Sequence, residues 1–510
     1  VSRGVRRVLA AVAAAATMTV GLVACSSHDR TVDPPAEIVV NRGQSSATPF
    51  RTAADGEVLL DVTTAAPGVS WGSPGSESAV VSLFVDNTYA TDIVIPASFP
   101  IRRSLALGRL ARGEHTLRVA FADDRSAQAA TSARLTSLTY RTVAAQDASY
   151  QALAHAPVVY GRTGAVTPDA AAATQGSTTG GTAATQGTAA TGTAAAAAAA
   201  AGGPFQNAVD DTPLLAFHSE APTAVAGHRL LTYSMVWSNE DGGSTTPELM
   251  AQWGRTTDIE WIYQVEIDAA GAAVPGSALI QGPEHTTVPF TGRYEGTHPV
   301  LGTCTSNNTM CPNPDARMRF ALSTADTLDP AAEARERELD ANPWTYWVMA
   351  QEVQREGKVD NDKTPNSTTR ISDPRNYVYL IIRKTTVGPP NTDDNWVGVS
   401  VGVRLSGSAQ TYRSAKVYPI WALRRDVPAA TAIELPAGTV AEDIASIEAT
   451  RVVGAGRDLG ARVQVESIER AFLLGPNGQP QQSFLFTPSR ATLTPAAPTA
   501  VLFRRPTGPS

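Results

Sequence analysis

The stretch Arg112-Gly113-Glu114-His115-Thr116-Leu117-Arg118-Val119 decides how this chain is read. Glycine supplies a turn, and the residues after it alternate apolar and polar. That two-residue period marks a strand with one face on a core and the other toward water. Working outward, short apolar segments separated by turns recur at Val58–Val62, Val80–Val85, Asp92–Ile95, Ser104–Leu107, Thr116–Phe121 and Ala133–Tyr140. Their spacing predicts a small β-sandwich over residues 56–148.

Residues 149–510 are expected to form a second, larger β-rich domain. Its strand candidates are Pro213–His218, Leu230–Trp237, Ile259–Ile267, Met318–Leu322, Tyr377–Arg383, Val397–Leu405, Lys416–Leu423 and Ala461–Leu474. Asp329-Pro330 and Asn342-Pro343 each place a capping residue before proline, which predicts two helices, the second ending at Gly357 and packing through Trp344, Trp347 and Val348. Residues 170–203 are Ala, Thr and Gly-rich without a charged side chain, and read as a disordered insertion inside this domain. On that reading His155–Arg162 and Asp211–His218 are neighbouring strands that bring His155 near His218. The fold class is therefore mainly β: a small N-terminal β-sandwich plus a larger β-sandwich domain with a short helical insertion.

Composition narrows the function. The 510 residues carry a formal net charge of −7, and only 17% are charged. Without a basic excess to neutralise phosphates, nucleic acid is not an expected partner. No glycine-rich phosphate loop or dinucleotide fingerprint occurs, so no nucleotide cofactor is expected. The histidines at 28, 115, 155, 218, 228, 285 and 298 lack the spacing of a zinc site. Gly398-Val399-Ser400-Val401-Gly402 matches the G-x-S-x-G pattern, but the alternation of Val397, Val399, Val401 and Val403 runs straight through the serine, whereas a nucleophile elbow needs a sharp turn into a helix.

The start of the chain reads as an export signal: Arg3, Arg6 and Arg7, then an apolar run from Val8 to Ala24 that is shorter than the ~20 residues of a spanning helix. Leu22-Val23-Ala24-Cys25 resembles the lipobox of bacterial lipoproteins. The resemblance implies a signal peptide over 1–24, a lipid on the Cys25 thiol, and a polar tether over 25–55 holding the body off the membrane. It also implies an exported protein, anchored in the cell envelope through its N-terminal lipid; in a Gram-negative host Ser26 after the cysteine points to the outer membrane. With Cys25 assigned to lipid, Cys304 and Cys311 remain in a turn-rich stretch on an exported chain, and are expected to form a local disulfide.

Two further segments bear on chemistry. In Thr257-Asp258-Ile259-Glu260-Trp261-Ile262-Tyr263-Gln264-Val265-Glu266-Ile267-Asp268, period two puts Asp258, Glu260, Gln264, Glu266 and Asp268 on one strand face. A row of carboxylates repels itself unless it is solvated, paired or holding a cation. Calcium is the candidate cofactor, with Asn239, Glu240 and Asp241 from the glycine-rich turn joining Asp258 and Glu260 as candidate ligands. A solvated acidic face is the structural alternative. Asp258 and Glu260 are also the candidate catalytic pair if the chain cleaves glycosidic bonds, since strand neighbours two apart permit that spacing.

Leu83-Phe84-Val85-Asp86-Asn87 followed by Leu110 to Val119 resembles the accessory immunoglobulin-like or carbohydrate-binding sandwiches of secreted bacterial proteins. The larger region, through His155–Arg162, Trp237–Gly243 and Asn342–Tyr346, resembles secreted bacterial and fungal proteins to which no activity attaches. Asp258-Ile259-Glu260-Trp261 is similar to the acid–tryptophan element of necrosis-inducing toxin-like sandwiches, but the order differs and no residue role transfers. The expected function is a membrane-anchored envelope lipoprotein with a binding or structural role toward glycan or another envelope polymer. The alternative is a calcium-assisted envelope hydrolase acting on carbohydrate.

Overall fold

The computed structural model describes residues 37–161, 212–240, 244–314, 316–389 and 394–506. The signal peptide, Cys25, the insertion over 170–203 and Asp241 lie outside the described residues.

Eight strands build the first sandwich: β1 (Glu37–Asn41), β2 (Ser45–Thr52), β3 (Gly56–Ala65), β4 (Ala79–Val85), β5 (Thr88–Ile95), β6 (Ile101–Leu110), β7 (Gly113–Phe121) and β8 (Ser132–Ala144). They form two antiparallel sheets ordered β1-β8-β3-β6 and β2-β7-β4-β5. The opening stretch is β7, where Leu117 and Val119 are fully buried while Glu114 and Thr116 are exposed. Asp86 and Asn87, at φ 48° and 67°, make the two-residue turn between β4 and β5, a conformation these short polar side chains tolerate. Residues 37–52, which the sequence reading placed in the tether, are β1 and β2. Phe50 on β2 is 2% exposed and stacks on Tyr140, which fixes this segment to the sandwich.

The region read as one large domain is divided among separate hydrophobic cores. Its central part comprises α1 (Tyr150–Ala154), β9 (Val158–Tyr160), β10 (Pro213–Pro222), β11 (Arg229–Trp237), α2 (Thr246–Trp253), β12 (Asp258–Ile267), β13 (Leu279–Gln281), β14 (Thr287–Pro289), β15 (Tyr294–Glu295), β16 (His298–Thr303), β17 (Met310–Cys311), β18 (Arg319–Phe320), α3 (Arg337–Ala341) and α4 (Trp344–Arg355). One sheet is the meander β10-β11-β12-β13-β14, and a second, mixed sheet is ordered β15-β16-β9-β18. Because β9 pairs β16 and β18 while β10 pairs β11, the expected pairing of the segments around His155 and His218 does not occur. His155 Nε2 meets the Gly271 carbonyl at 3.0 Å, and His218 Nδ1 meets that of Thr324 at 2.7 Å.

A separate core belongs to a C-terminal sandwich of β19 (Tyr377–Val387), β20 (Val397–Leu405), β21 (Thr411–Arg413), β22 (Ala429–Glu434), β23 (Ile444–Val453), β24 (Arg462–Leu473), β25 (Leu485–Thr487), β26 (Ala491–Leu493) and β27 (Thr499–Arg504). Its sheets are β22-β19-β24-β25, with β26 also on β24, and β21-β20-β23-β27. Ser400 lies in the middle of β20, 4% exposed, and an added Cβ at Gly398 would sit 2.8 Å from the Leu423 carbonyl. The G-x-S-x-G match is thus a strand packed closely against its neighbour. Residues Lys416–Leu423 are not a strand: Lys416 takes φ 49° and Pro419–Trp421 forms one 3-10 turn, since proline cannot donate to a ladder.

The helix at Asn342-Pro343 forms as expected and stops at Gly357, φ 66°. After Asp329-Pro330 the chain makes turns before α3 begins at Arg337. α4 braces the units together. Trp344 packs into the core shared by the first sandwich and the central sheets, while Tyr346 meets Tyr379 and Phe472 of the C-terminal sandwich edge-on at 5.8 and 5.5 Å. Trp71 of the first sandwich, fully buried, donates its indole N–H to Glu352, and Arg355 lies over the same ring at 5.1 Å. α2 escaped the sequence reading although its signals are present: Thr245 before the first turn, Pro247 within it and Gly254 at φ 63° after it. No helix among the described residues is long and apolar enough to cross a membrane.

Candidate functional site

The expected acidic row does not form. In β12 the pairing register with β11 slips by one residue between Tyr233 and Ser234, which leaves Ile262 as the extra residue of a β-bulge. A slip of one residue exchanges the faces of everything beyond it. Tyr263, Val265 and Ile267 face the core shared with the first sandwich, whereas Ile259 packs with Val236, Met349 and Tyr377 in another core. Asp258 and Glu260 therefore lie opposite Trp237 and Met235, on the core side, and Glu266 and Asp268 are carried to the other. Glu266 accepts from His228 Nδ1 at 2.7 Å, and the Asp268 carboxylate accepts the backbone N–H groups of Ala270 and Ala272.

Asp258 is 2% exposed and accepts Asn308 Nδ2 at 2.9 Å. Asn308 sits in the loop closed by the Cys304–Cys311 disulfide, so the staple holds an amide over the carboxylate. Burial, then the nearby Glu260 charge, pushes the Asp258 carboxyl up to about 7, against the pull of Arg255. Burial and the Asp258 charge likewise hold Glu240 well above its ordinary value. Asn239 donates its side-chain N–H to Glu356 at 2.9 Å. Glu260 Oε2 is 3.9 Å from His285 Nδ1, at a turn where Glu284 and His285 take φ 57° and 56°. Among the described residues no group of three or more His, Cys, Asp or Glu is arranged to hold a metal ion. Of the candidate calcium ligands, Asn239, Asp258 and Glu260 thus face the protein partners Glu356, Asn308 and His285.

A different site emerges where the central sheets dock on the first sandwich. Hydrogen bonds to backbone carbonyls join them: Ala106 N donates to Ala321 O at 2.9 Å, and the Arg319 side-chain Nε to Ala90 O at 2.7 Å. Beside this seam opens a cleft of about 450 Å³ with Tyr89, Leu107 and Pro157 among its walls. Glu57 from β3, 3% exposed, meets His298 Nε2 from β16 at 3.5 Å, and His298 Nδ1 donates to the Ala156 carbonyl at 2.9 Å. Burial disfavours the imidazolium, yet the Glu57 carboxylate outweighs it and holds the His298 pKa above its ordinary value. Arg319 pairs with Glu295 at 2.6 Å on the same wall. Tyr89 gives its hydroxyl to Asp92 at 2.5 Å, and Asp92, fully buried, also binds Arg125 at 2.6 Å, which locks the ring.

No protein-family model and no curated protein matches the chain. Solved carbohydrate-binding modules do. The carbohydrate-binding module CBM36 in complex with calcium and xylotriose is 13% identical, over 21% of this chain and 78% of that one, with a TM-score of 0.17. The CBM35 from Cellvibrio japonicus Abf62 is 10% identical over 21% of this chain and 98% of its own, with a TM-score of 0.14. The GH26-CBM35 β-(1,4)-mannanase of Podospora anserina is 14% identical over 22% of this chain, which spans 26% of that enzyme, with a TM-score of 0.16.

Glu57, Tyr89, His298 and Arg319 were not singled out as a site from the sequence. They come from strands remote in the chain, and no short motif joins them; only their convergence at the seam makes them a group.

Proposed function

We propose that this protein is exported, anchored to the cell envelope through a lipid on Cys25, and binds glycan in the cleft between its first sandwich and its central sheets. The support for binding is the cleft itself: about 450 Å³, mostly apolar, with a few fixed polar groups that both accept and donate. A sugar offers hydroxyl groups that need both roles, and C–H faces that pack on a ring. Glu57 and Glu295 accept, His298 and Arg319 donate, and Tyr89 supplies the ring. Acyl chains on Cys25 give attachment through buried methylenes, each contributing about 0.8 kcal/mol.

A glycan array probed with the chain from residue 26 onward tests the binding. The expected result is capture of a defined saccharide class, lost in Glu57→Gln and in Arg319→Gln while the folded content is unchanged. Uniformly blank arrays with folded protein would end this reading. The anchor is checked separately: Cys25→Ser should move the protein from the membrane fraction to the soluble one.

A further inference from the structure

The C-terminal sandwich carries a second cavity, of about 530 Å³, between β21, the end of β22 and the loop around Lys363. Lysine is scarce in this chain, and two of its lysines meet here. Lys363 Nζ and Lys416 Nζ each lie 2.8 Å from a different oxygen of Glu434. All three side chains are sheltered, at 11%, 12% and 15% exposure. The Ser372 N–H also donates to Glu434, at 3.1 Å. Burial opposes ionisation of Glu434, but the two ammonium groups hold its carboxyl below the ordinary range. One carboxylate balances one ammonium, so this trio keeps a positive charge in a largely desolvated place.

The other cation on the wall, Arg413, is matched elsewhere: its NH2 group binds Glu448 at 2.6 Å and its NH1 group binds Thr450 Oγ1 at 2.9 Å. With Arg413 paired to Glu448, the charged residues of the lining, Lys363, Arg413, Lys416 and Glu434, leave one positive charge in excess, on a chain whose net charge is −7. The backbone supports the arrangement at a cost. Lys416 and Asn366, both lining the cavity, take φ 49° and 57°, a region that side chains with a Cβ seldom occupy. Tyr412 is the aromatic residue of the lining.

From the excess charge, the shelter and the volume, we infer that this cavity binds a small ligand bearing an oxyanion, either the carboxylate of an acidic sugar or a phosphate group. The anion would take hydrogen bonds from Lys363 and Lys416, competing with Glu434 for them, while the rest of the ligand lies along Tyr412. The site shares no residue with the glycan cleft, so it stands or falls independently of the function proposed above.

Isothermal titration of the chain from residue 26 onward with inorganic phosphate, with a glucuronate-containing disaccharide and with its neutral counterpart tests the inference. At least one anion should bind, more weakly as salt is raised, and the neutral sugar should not; which anion binds distinguishes phosphate from sugar carboxylate as the source. Lys416→Gln should weaken binding by roughly tenfold, the usual order for one charge-assisted contact. Glu434→Gln keeps the shape but removes the internal competitor, so it should tighten binding. The opposite signs guard against a variant that merely unfolds. Failure of both anions to bind, equal binding of the neutral sugar, or an unchanged affinity in Glu434→Gln would overturn the inference.

Discussion

Asp258 offers the sharpest test of how burial and charge are balanced beside the disulfide loop. Its carboxyl has an ordinary value of 3.8 and is pushed up to about 7 in the fold. Between those values the native state holds a proton that the unfolded chain has released, so this residue makes stability fall as pH rises from about 4 to 7. At 1.36 kcal/mol per pH unit, the full displacement corresponds to about 4 kcal/mol. Part of it is shared with Glu240, which titrates against the same charge, so about 2–4 kcal/mol is expected from Asp258 alone. Asp258→Asn keeps the shape, and its carbonyl can still accept from Asn308, but it carries no charge to desolvate. The variant should therefore match the wild type near pH 4 and exceed its stability by about 2–4 kcal/mol at pH 8. Urea unfolding of both proteins across that range, followed by tryptophan fluorescence, measures the difference. Other buried acids with raised values, Glu338 and Asp340 among them, tilt both curves alike and cancel in the comparison. A difference that stays flat with pH would refute the reasoning.

Two other outcomes follow from the same geometry. Cys304→Ser with Cys311→Ser should cost about 2–3 kcal/mol by freeing the unfolded loop, and should raise the Asp258 pKa further as the Asn308 donor moves away from the carboxylate; a carbon-13 titration of the aspartate carboxyls reads the second effect. Trp71→Phe removes the donor to Glu352 at the contact between α4 and the first sandwich, and about 1–3 kcal/mol should be lost in thermal or urea melts; a loss within about 0.5 kcal/mol would mean that Arg355 alone satisfies Glu352.

Much of the fold was legible because alternation is local. The strand at Gly113–Phe121, the helix started by Asn342-Pro343 and the disulfide between Cys304 and Cys311 each depend on residues within a dozen positions. Errors arose where neighbouring strands intervened. Residues 37–52 looked polar enough for a tether, yet every second residue from Thr48 to Thr52 faces a core, and pairing with β7 makes them a strand. The acidic segment reads as one face from period two alone; the bulge at Ile262 arises from its register with β11, which no single strand encodes.

By itself the sequence determined the strand-rich class and the small first sandwich, because face alternation is written in consecutive residues. Tertiary structure alone decided that the later region is divided among separate cores, that Asp258 is turned inward, that Glu57 meets His298, and that Lys363 and Lys416 converge on Glu434. The physical reason is common to all four. Burial and charge pairing depend on the register and packing of elements far apart in the chain, and a strand's pattern specifies which face is apolar without specifying what will lie against it.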